Sequence, residues 1–300
     1  MLDFTSLFCA IDDFCQVFEL EWKKQQLPKS NNRRYRETNL CLSEMMYIVV
    51  RFHHSYFRNF KAYYVFLQTY YQGDFRGGLP SYHRFIELMP RTFLPLSVYL
   101  NYRRGTCTGI QFIDSTAIAV CKNKRIKRNR VFAHVAKVGK SSMGWFFGFK
   151  LHLIINEFGD LLAFKVTTGN INDRSPVEEL TKNLSGKLYG DKGYISQSLF
   201  ERVLQNGVQL ITSLKKKMKN KLLPMLDKLL LKKRSLIETV NDQLKNICNI
   251  EHSRHRSINN FAVNLIAGLV AYTHLDKKPS IHWDRTVLCN QMPSLSGIIL

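Results

Sequence analysis

The sequence predicts an α/β protein in which a mixed sheet flanked by helices is preceded by an all-α N-terminal domain. Apolar residues recur three and four positions apart up to about residue 104, which is typical of helices. After Gly105, β-branched and aromatic runs separated by short turns indicate strands. Of the 300 residues, 45% are hydrophobic, which is ample for a core. We therefore divide the chain at 1–104, 105–275 and 276–300, the last being an irregular tail without periodicity.

The N-terminal region contains several aromatic-rich helical patterns. They lie near residues 14–22, 45–57, 63–71 and 82–89, and Gly73, Gly77, Gly78 and Pro80 interrupt them. One interpretation is recognition of specific DNA, with a helix-turn-helix between Leu42 and Tyr71. Plain helical packing explains the pattern equally well, because that motif has no sharp signature here.

The second region has a definite order of elements. Strands are expected at 110–120, 144–155 and 161–168, and their short turns predict an antiparallel meander. Further on we predict a helix at 175–183, a strand at 187–190, a helix at 196–205, a strand at 208–214 and helices at 222–247 and 259–272. This order is that of a ribonuclease H-like fold, a mixed sheet covered by helices.

The charge of the chain indicates a polyanionic partner. Lys and Arg number 44 against 23 Asp and Glu, giving a formal charge of +21 and a pI near 9.8. Nucleic acid is the first candidate, and a solvated basic surface or anionic lipid stays open. The segment 121–150 contains no acidic residue, which suits contact with phosphates. The predicted DNA contacts are Lys122, Lys124, Arg125, Lys127, Arg128, Arg234, Lys245, Arg254 and Arg256.

The cysteines and the apolar segments indicate a cytoplasmic protein. Seven cysteines without a C-x-x-C pair form neither a disulfide framework nor a zinc-ribbon pattern. The first twenty residues carry four acidic side chains and lack the pattern of a secretory signal. The longest apolar stretch, 261–272, is too short to span a bilayer, so we expect no membrane partner.

Asp114 is the first candidate for an active-site residue, because it lies inside an apolar run at 110–120. A carboxylate in a central strand is costly unless it is paired or binds a metal. The alternative, an outward-facing position on an edge strand, is disfavoured by its apolar or small neighbours.

Asp191 is the second candidate. It follows the short predicted strand at 187–190, between glycines that allow a sharp turn. Ligands gather where the strands of open α/β sheets end, so this position favours a site. Alternatively, Asp191 caps the helix that begins near Ser196.

Glu238, on the predicted helix 222–247, is the third candidate. Arg234 precedes it by one helical turn and Lys245 follows seven residues later, so the three side chains can point the same way. Taken alone, Glu238 fits a solvated Arg–Glu pair better than a site. The neighbouring stripe, expected to be buried, consists of Ile237, Val240, Leu244 and Ile247.

Together, the three carboxylates match the chemistry of phosphodiester cleavage. That reaction needs a nucleophilic oxygen, an in-line leaving oxygen and neutralisation of the phosphoryl charge, all of which two magnesium ions supply. Magnesium prefers oxygen ligands and keeps several waters, so three carboxylates suffice. We predict that Asp114, Asp191 and Glu238 are catalytic and hold two Mg²⁺ ions, for which Mn²⁺ is expected to substitute.

With these residues in hand, the chain resembles a DDE-type transposase of a bacterial insertion sequence, most closely insertion-sequence family 982 and more distantly family 4. The resemblance extends to about Leu275. It is carried by Phe112-Ile-Asp-Ser-Thr116 with the basic run after it, Gly169-Asn-Ile-Asn-Asp-Arg174, Tyr189-Gly-Asp-Lys-Gly-Tyr194, Arg234-x-x-x-Glu238 with Lys245, and His252-Ser-Arg-His-Arg-Ser257 before Asn259-Asn-Phe261.

The resemblance implies specific roles. Asp114, Asp191 and Glu238 would be the catalytic triad, with Asp173 a rival carboxylate that we interpret as shaping its loop. Leu231 stands where family 4 has a tyrosine, which removes one expected DNA contact. We read the histidines and arginines at 252–256 as phosphate contacts and not as a zinc site.

The resemblance also implies the activity and the partners. The protein would cleave double-stranded DNA at terminal inverted repeats and transfer the strand into target DNA, near the bacterial nucleoid and as a homo-oligomer on DNA. Residues 1–104 would recognise the DNA ends. Two alternatives stay open: a ribonuclease H-like nuclease without strand transfer, and a catalytically inactive DNA-binding relic of a transposase.

Overall fold

A six-stranded mixed sheet lies at the centre of the structure, a computed structural model that describes residues 4–25, 38–142, 144–213, 223–251 and 255–281. The strands follow the order β2-β3-β1-β5-β6, and β4 also pairs with β3. Neighbours β1, β3 and β4 are antiparallel, whereas β1, β5 and β6 are parallel. The strands are β1 (Ile110–Cys121), β2 (Lys137–Ser141), β3 (Gly144–Asn156), β4 (Leu161–Thr168), β5 (Gly186–Gly190) and β6 (Val208–Thr212).

The predicted antiparallel meander is confirmed as β1, β3 and β4, and the α/β class with it. Strand β2 was not predicted. Its sequence, Lys-Val-Gly-Lys-Ser, has a single apolar residue and no alternation, so it carries no strand signal of its own. It forms because it pairs with the first residues of β3.

Helices cover both faces of the sheet. Helices α6 and α7 pack around Ile113 and Leu188, while α8, α9 and α10 pack on the opposite face, around Phe112 and Tyr189. The helices are α1 (Phe4–Gln25), α2 (Leu42–Phe52), α3 (Phe60–Tyr70), α4 (Tyr82–Leu88), α5 (Phe93–Tyr102), α6 (Val177–Leu180), α7 (Gln197–Gln205), α8 (Met225–Lys232), α9 (Ser235–Asn246) and α10 (Ile258–Thr273).

The single helix predicted at 222–247 is wrong, because the chain bends between α8 and α9. Helix α8 packs on β5 and β6, whereas α9 packs on β1, so the two helices lie against different parts of the sheet. Ile237, Val240 and Leu244 are buried as predicted. Ile247 was also predicted to be buried, but 50% of its surface is exposed. Cys248 is buried in its place, since α9 ends just before Ile247.

The helix predicted at 175–183 is shorter in the structure, where it forms only the single turn of α6.

The helices before the sheet share one continuous core with it. Helix α10 packs on α2 and α5 as well as on α9, so the apolar cluster runs from the first helices to the sheet. The connection between α2 and α3, residues 53–59, is longer than the turn of about three to four residues in a helix-turn-helix. That geometry disfavours the helix-turn-helix interpretation, and the boundary at 104/105 stays a prediction.

The described beginning of the predicted tail is ordered against the β3–β4 turn. Lys278 forms an ion pair with Asp160 at 2.8 Å, and the Ile281 N–H donates to the Glu157 carbonyl at 2.8 Å. Residues 282–300 lie outside the described residues. In the described parts of the chain, no helix combines the length and the apolar character that crossing a bilayer requires.

Candidate active site

Asp114 lies on β1, and Asp191 directly follows the neighbouring parallel strand β5. Phe112 of β1 pairs with Tyr189 of β5, and each aspartate follows its paired residue by two positions. Strand β5 ends at Gly190, whereas β1 continues to Cys121, so the chain leaves β5 beside the middle of β1 where Asp114 lies. The register therefore brings together two residues that are far apart in sequence.

Asp114 is a desolvated carboxylate surrounded by charge. Its Oδ2 accepts a hydrogen bond from Asn241 Nδ2 at 2.9 Å. The pKa of the Asp114 carboxyl is raised to about 6, chiefly by burial and also by the negative charges of Asp191 and Glu238, while the Ser115 backbone N–H and Arg234 oppose the rise. Asp191 and Glu238 therefore both lie within electrostatic range of Asp114. A perturbed carboxyl with a nearby charge partner is typical of a functional site.

Asp191 shapes the turn that follows β5. Its Oδ1 accepts a hydrogen bond from the Gly193 N–H at 2.8 Å, which caps the short helical turn at 192–194. Helix α7 is instead capped by Ser196, whose hydroxyl accepts from the Leu199 N–H. The proposed cap of α7 by Asp191 is therefore wrong, although Asp191 does cap the preceding turn.

Glu238 lies on the exposed side of α9, near Asp114. Its side chain is 53% exposed and forms an ion pair with Arg234, one turn earlier. Both residues affect the pKa of Asp114, because α9 packs directly on β1. The predicted Arg–Glu pair and the predicted proximity to Asp114 are thus found together.

The donor set suits a hard divalent cation. Asp114, Asp191 and Glu238 offer carboxylate oxygens, the ligands that magnesium prefers. Asn241 adds a buried Oδ1 for which the described residues supply no hydrogen-bond donor. Nowhere in the described residues do three His, Cys, Asp or Glu side chains already form a metal cage, and Glu238 is turned towards Arg234.

Residues 104–258 match the family model described as the transposase DDE domain. This span is just over half of the 300 residues and includes all six strands and helices α6 to α9. The chain belongs to the transposase DDE domain family. It is therefore an enzyme of the nuclease and transposase type with a role in DNA transposition, and domains of this family typically depend on divalent metals. A search of curated proteins found no match.

The basic segment of the transposase domain lines a wide cleft. The five predicted contacts at 122–128 are all exposed. Lys122, Arg125 and Arg128 border an opening of about 1080 Å³ together with the exposed ring of Trp145. Cationic groups beside an aromatic face suit a nucleic-acid strand.

The other predicted DNA contacts of the transposase domain are spread more widely. Arg234 is occupied by Glu238, and Lys245 forms an ion pair with Glu251 at 3.1 Å beside the cleft. Arg256 is exposed, whereas Arg254 lies outside the described residues, as does His252. Their contacts with DNA stay predictions.

Asp173 is held by Lys150 across the loop after β4. Lys150 Nζ lies 2.9 Å from Asp173 Oδ1 and also donates to the Ile171 carbonyl at 2.9 Å. This arrangement agrees with a loop-shaping role for Asp173. Sequence reasoning missed Lys150 and Asn241 as neighbours of the site; the one available signal was that Asn241 follows Glu238 by three residues on the same helix.

Proposed function

We propose that this transposase cleaves DNA at the ends of an insertion sequence and transfers the freed 3′-hydroxyl end into target DNA, using Asp114, Asp191 and Glu238. The observation that carries the proposal is the register of β1 and β5, which sets Asp114 and Asp191 side by side where α9 brings Glu238. Two further carboxylates within electrostatic range of Asp114, on a strongly basic chain, suit the handling of a phosphodiester.

The residues present would hold two Mg²⁺ ions, with Mn²⁺ as a substitute. When bound, such ions activate a water or hydroxyl and stabilise the leaving oxygen. The chain itself orients the carboxylates: the Gly193 N–H fixes one oxygen of Asp191, and Asn241 fixes one oxygen of Asp114. Arg234 forms an ion pair with Glu238. A cation would compete with Arg234 for the Glu238 carboxylate, and a phosphate would compete with Glu238 for the Arg234 guanidinium.

Finer assignments belong to the same proposal. The strand order supports a ribonuclease H-like fold, and the quoted motifs support insertion-sequence family 982. We further propose that residues 1–104 recognise terminal inverted repeats in double-stranded DNA, that the protein acts as a homo-oligomer on DNA, and that it works at the bacterial nucleoid. Leu231, where family 4 has a tyrosine, packs partly buried against the core.

The test is cleavage of a labelled duplex that carries the inverted repeat, with Mg²⁺, with Mn²⁺ and with EDTA. Wild type is compared with Glu238→Gln and with Glu201→Gln, a matched control on the exposed face of α7. We expect metal-dependent cuts at the repeat end that the first variant loses and the control keeps. Cleavage by Glu238→Gln at the wild-type rate would refute the site.

A joining assay separates the proposal from the two alternatives. Pre-cut repeat ends are incubated with a supercoiled plasmid, and joined products are counted. Cutting without joining would indicate a nuclease of the same fold. Binding of the ends without cutting in either metal would indicate the inactive relic.

A further inference from the structure

Asn241 links the helix that carries Glu238 to the strand that carries Asp114. The side chain is 7% exposed, and its Nδ2 lies 2.9 Å from Asp114 Oδ2. An ionised carboxylate only accepts hydrogen bonds, so the amide nitrogen must be the atom that faces it. The contact joins residues 127 positions apart and links α9 directly to β1.

The Asn241 amide that donates to Asp114 is neutral, and its lack of charge matters for a cation site. A lysine or arginine in the same place would neutralise Asp114 and compete electrostatically with a metal. An amide holds one oxygen in place and leaves the negative charge of Asp114 for a ligand. The amide is therefore suited to orientation and not to charge balance.

The other end of the amide is an unused acceptor. The Asn241 Oδ1 is buried, and no donor reaches it within the described residues. A buried polar atom without a partner is uncommon and calls for an explanation, such as an ion or a water that accompanies one. A water of a hydrated cation bound at Asp114 would supply such a donor.

We propose that Asn241 is a positioning residue that holds Asp114 for a divalent cation and fixes its spacing from Glu238. The inference rests on the proposed function, because it takes Asp114 to be a metal ligand. Groups that orient a metal ligand commonly matter almost as much as the ligand itself, with losses of about 10- to 100-fold in metal affinity or activity when they are removed.

The test is a Mn²⁺ titration of the full-length protein without DNA, followed by electron paramagnetic resonance of the free ion. Asn241→Leu keeps a similar volume and removes both polar atoms, while Asn241→Ala also opens a cavity. Asn246→Ala is the matched control, since this exposed asparagine on the same helix bonds only Asp242 among the described residues. Asp114→Asn reports on the site itself.

We expect Mn²⁺ affinity to fall about 10- to 100-fold in both Asn241 variants, to stay unchanged in Asn246→Ala, and to vanish in Asp114→Asn. In DNA cleavage, the Mn²⁺ concentration for half-maximal rate should rise by a similar factor in Asn241→Leu, with much of the rate recovered at saturating Mn²⁺. A purely structural role would lower the rate at all metal concentrations alike.

These outcomes distinguish a failure of the positioning role of Asn241 from a failure of the proposed function. If Asn241→Leu binds Mn²⁺ as tightly as wild type while Asp114→Asn does not, the positioning role is overturned and the proposed function stands. If wild type and Asp114→Asn bind Mn²⁺ equally, or neither binds it, the metal site itself is wrong and this inference falls with it. Thermal unfolding of each variant without metal shows whether it is folded.

Discussion

Asp114→Asn should stabilise the metal-free protein while removing its activity. The Asp114 carboxylate is partly buried between β1 and α9, and the carboxylates of Asp191 and Glu238 act on it. Asparagine has nearly the same shape and carries no charge, so it removes both the desolvation cost and the repulsion. Its side-chain oxygen can still accept the hydrogen bond from Asn241.

The magnitude follows from the pKa of this one carboxyl. Folding raises it from 3.8 to about 6, and at about 1.36 kcal/mol per pKa unit the ionised group costs up to about 3 kcal/mol. Because the folded pKa is the higher one, the cost is complete above about pH 6 and disappears below about pH 3.8. Near pH 5, about half of it should remain.

The assay is urea unfolding of both proteins in EDTA at about pH 7.5 and about pH 5. The variant should gain up to about 3 kcal/mol at the higher pH and about half as much at the lower. Asp242→Asn, on the exposed side of the same helix, is the control and should change little. A variant that is less stable than wild type, or a gain that does not shrink at lower pH, would refute the electrostatic reasoning.

Three further changes test other parts of the structure. Tyr189→Phe removes a hydrogen bond of 2.7 Å to the buried Asp227 carboxylate and should lower the free energy of unfolding by about 1.5–3 kcal/mol, so an unchanged urea midpoint would contradict it. Changing Arg125 and Arg128 to alanine should weaken duplex binding and reduce its salt slope by about one per residue, measured by fluorescence anisotropy. Asp173→Asn should keep cleavage within about tenfold of wild type, because this partly exposed carboxylate only pairs with a lysine; complete loss of cleavage in a folded variant would contradict the loop-shaping role.

Local sequence patterns were sufficient for most of the sheet. The ends of β1, β3 and β4 fall within one residue of the predicted ones, because alternating apolar and β-branched side chains favour a strand whatever surrounds them. The same local pattern made Asp114 a candidate, because it is a charged residue within an apolar strand. The pattern could not predict β2, which is polar and depends on its partner strand.

By itself, the sequence determined the α/β class and the basic character of the chain, which follow from residue type and local periodicity. It also predicted three candidate carboxylates, from their combined chemistry and the family resemblance. Only the tertiary structure decided that α8 and α9 are separate, that Lys245 pairs with Glu251, and that Asn241 holds Asp114. These features depend on contacts between elements that are distant in the chain. Helical periodicity shows which side of α9 is buried, but the strand on which that side packs, and so the carboxylate that Asn241 meets, is set by the packing of the whole sheet.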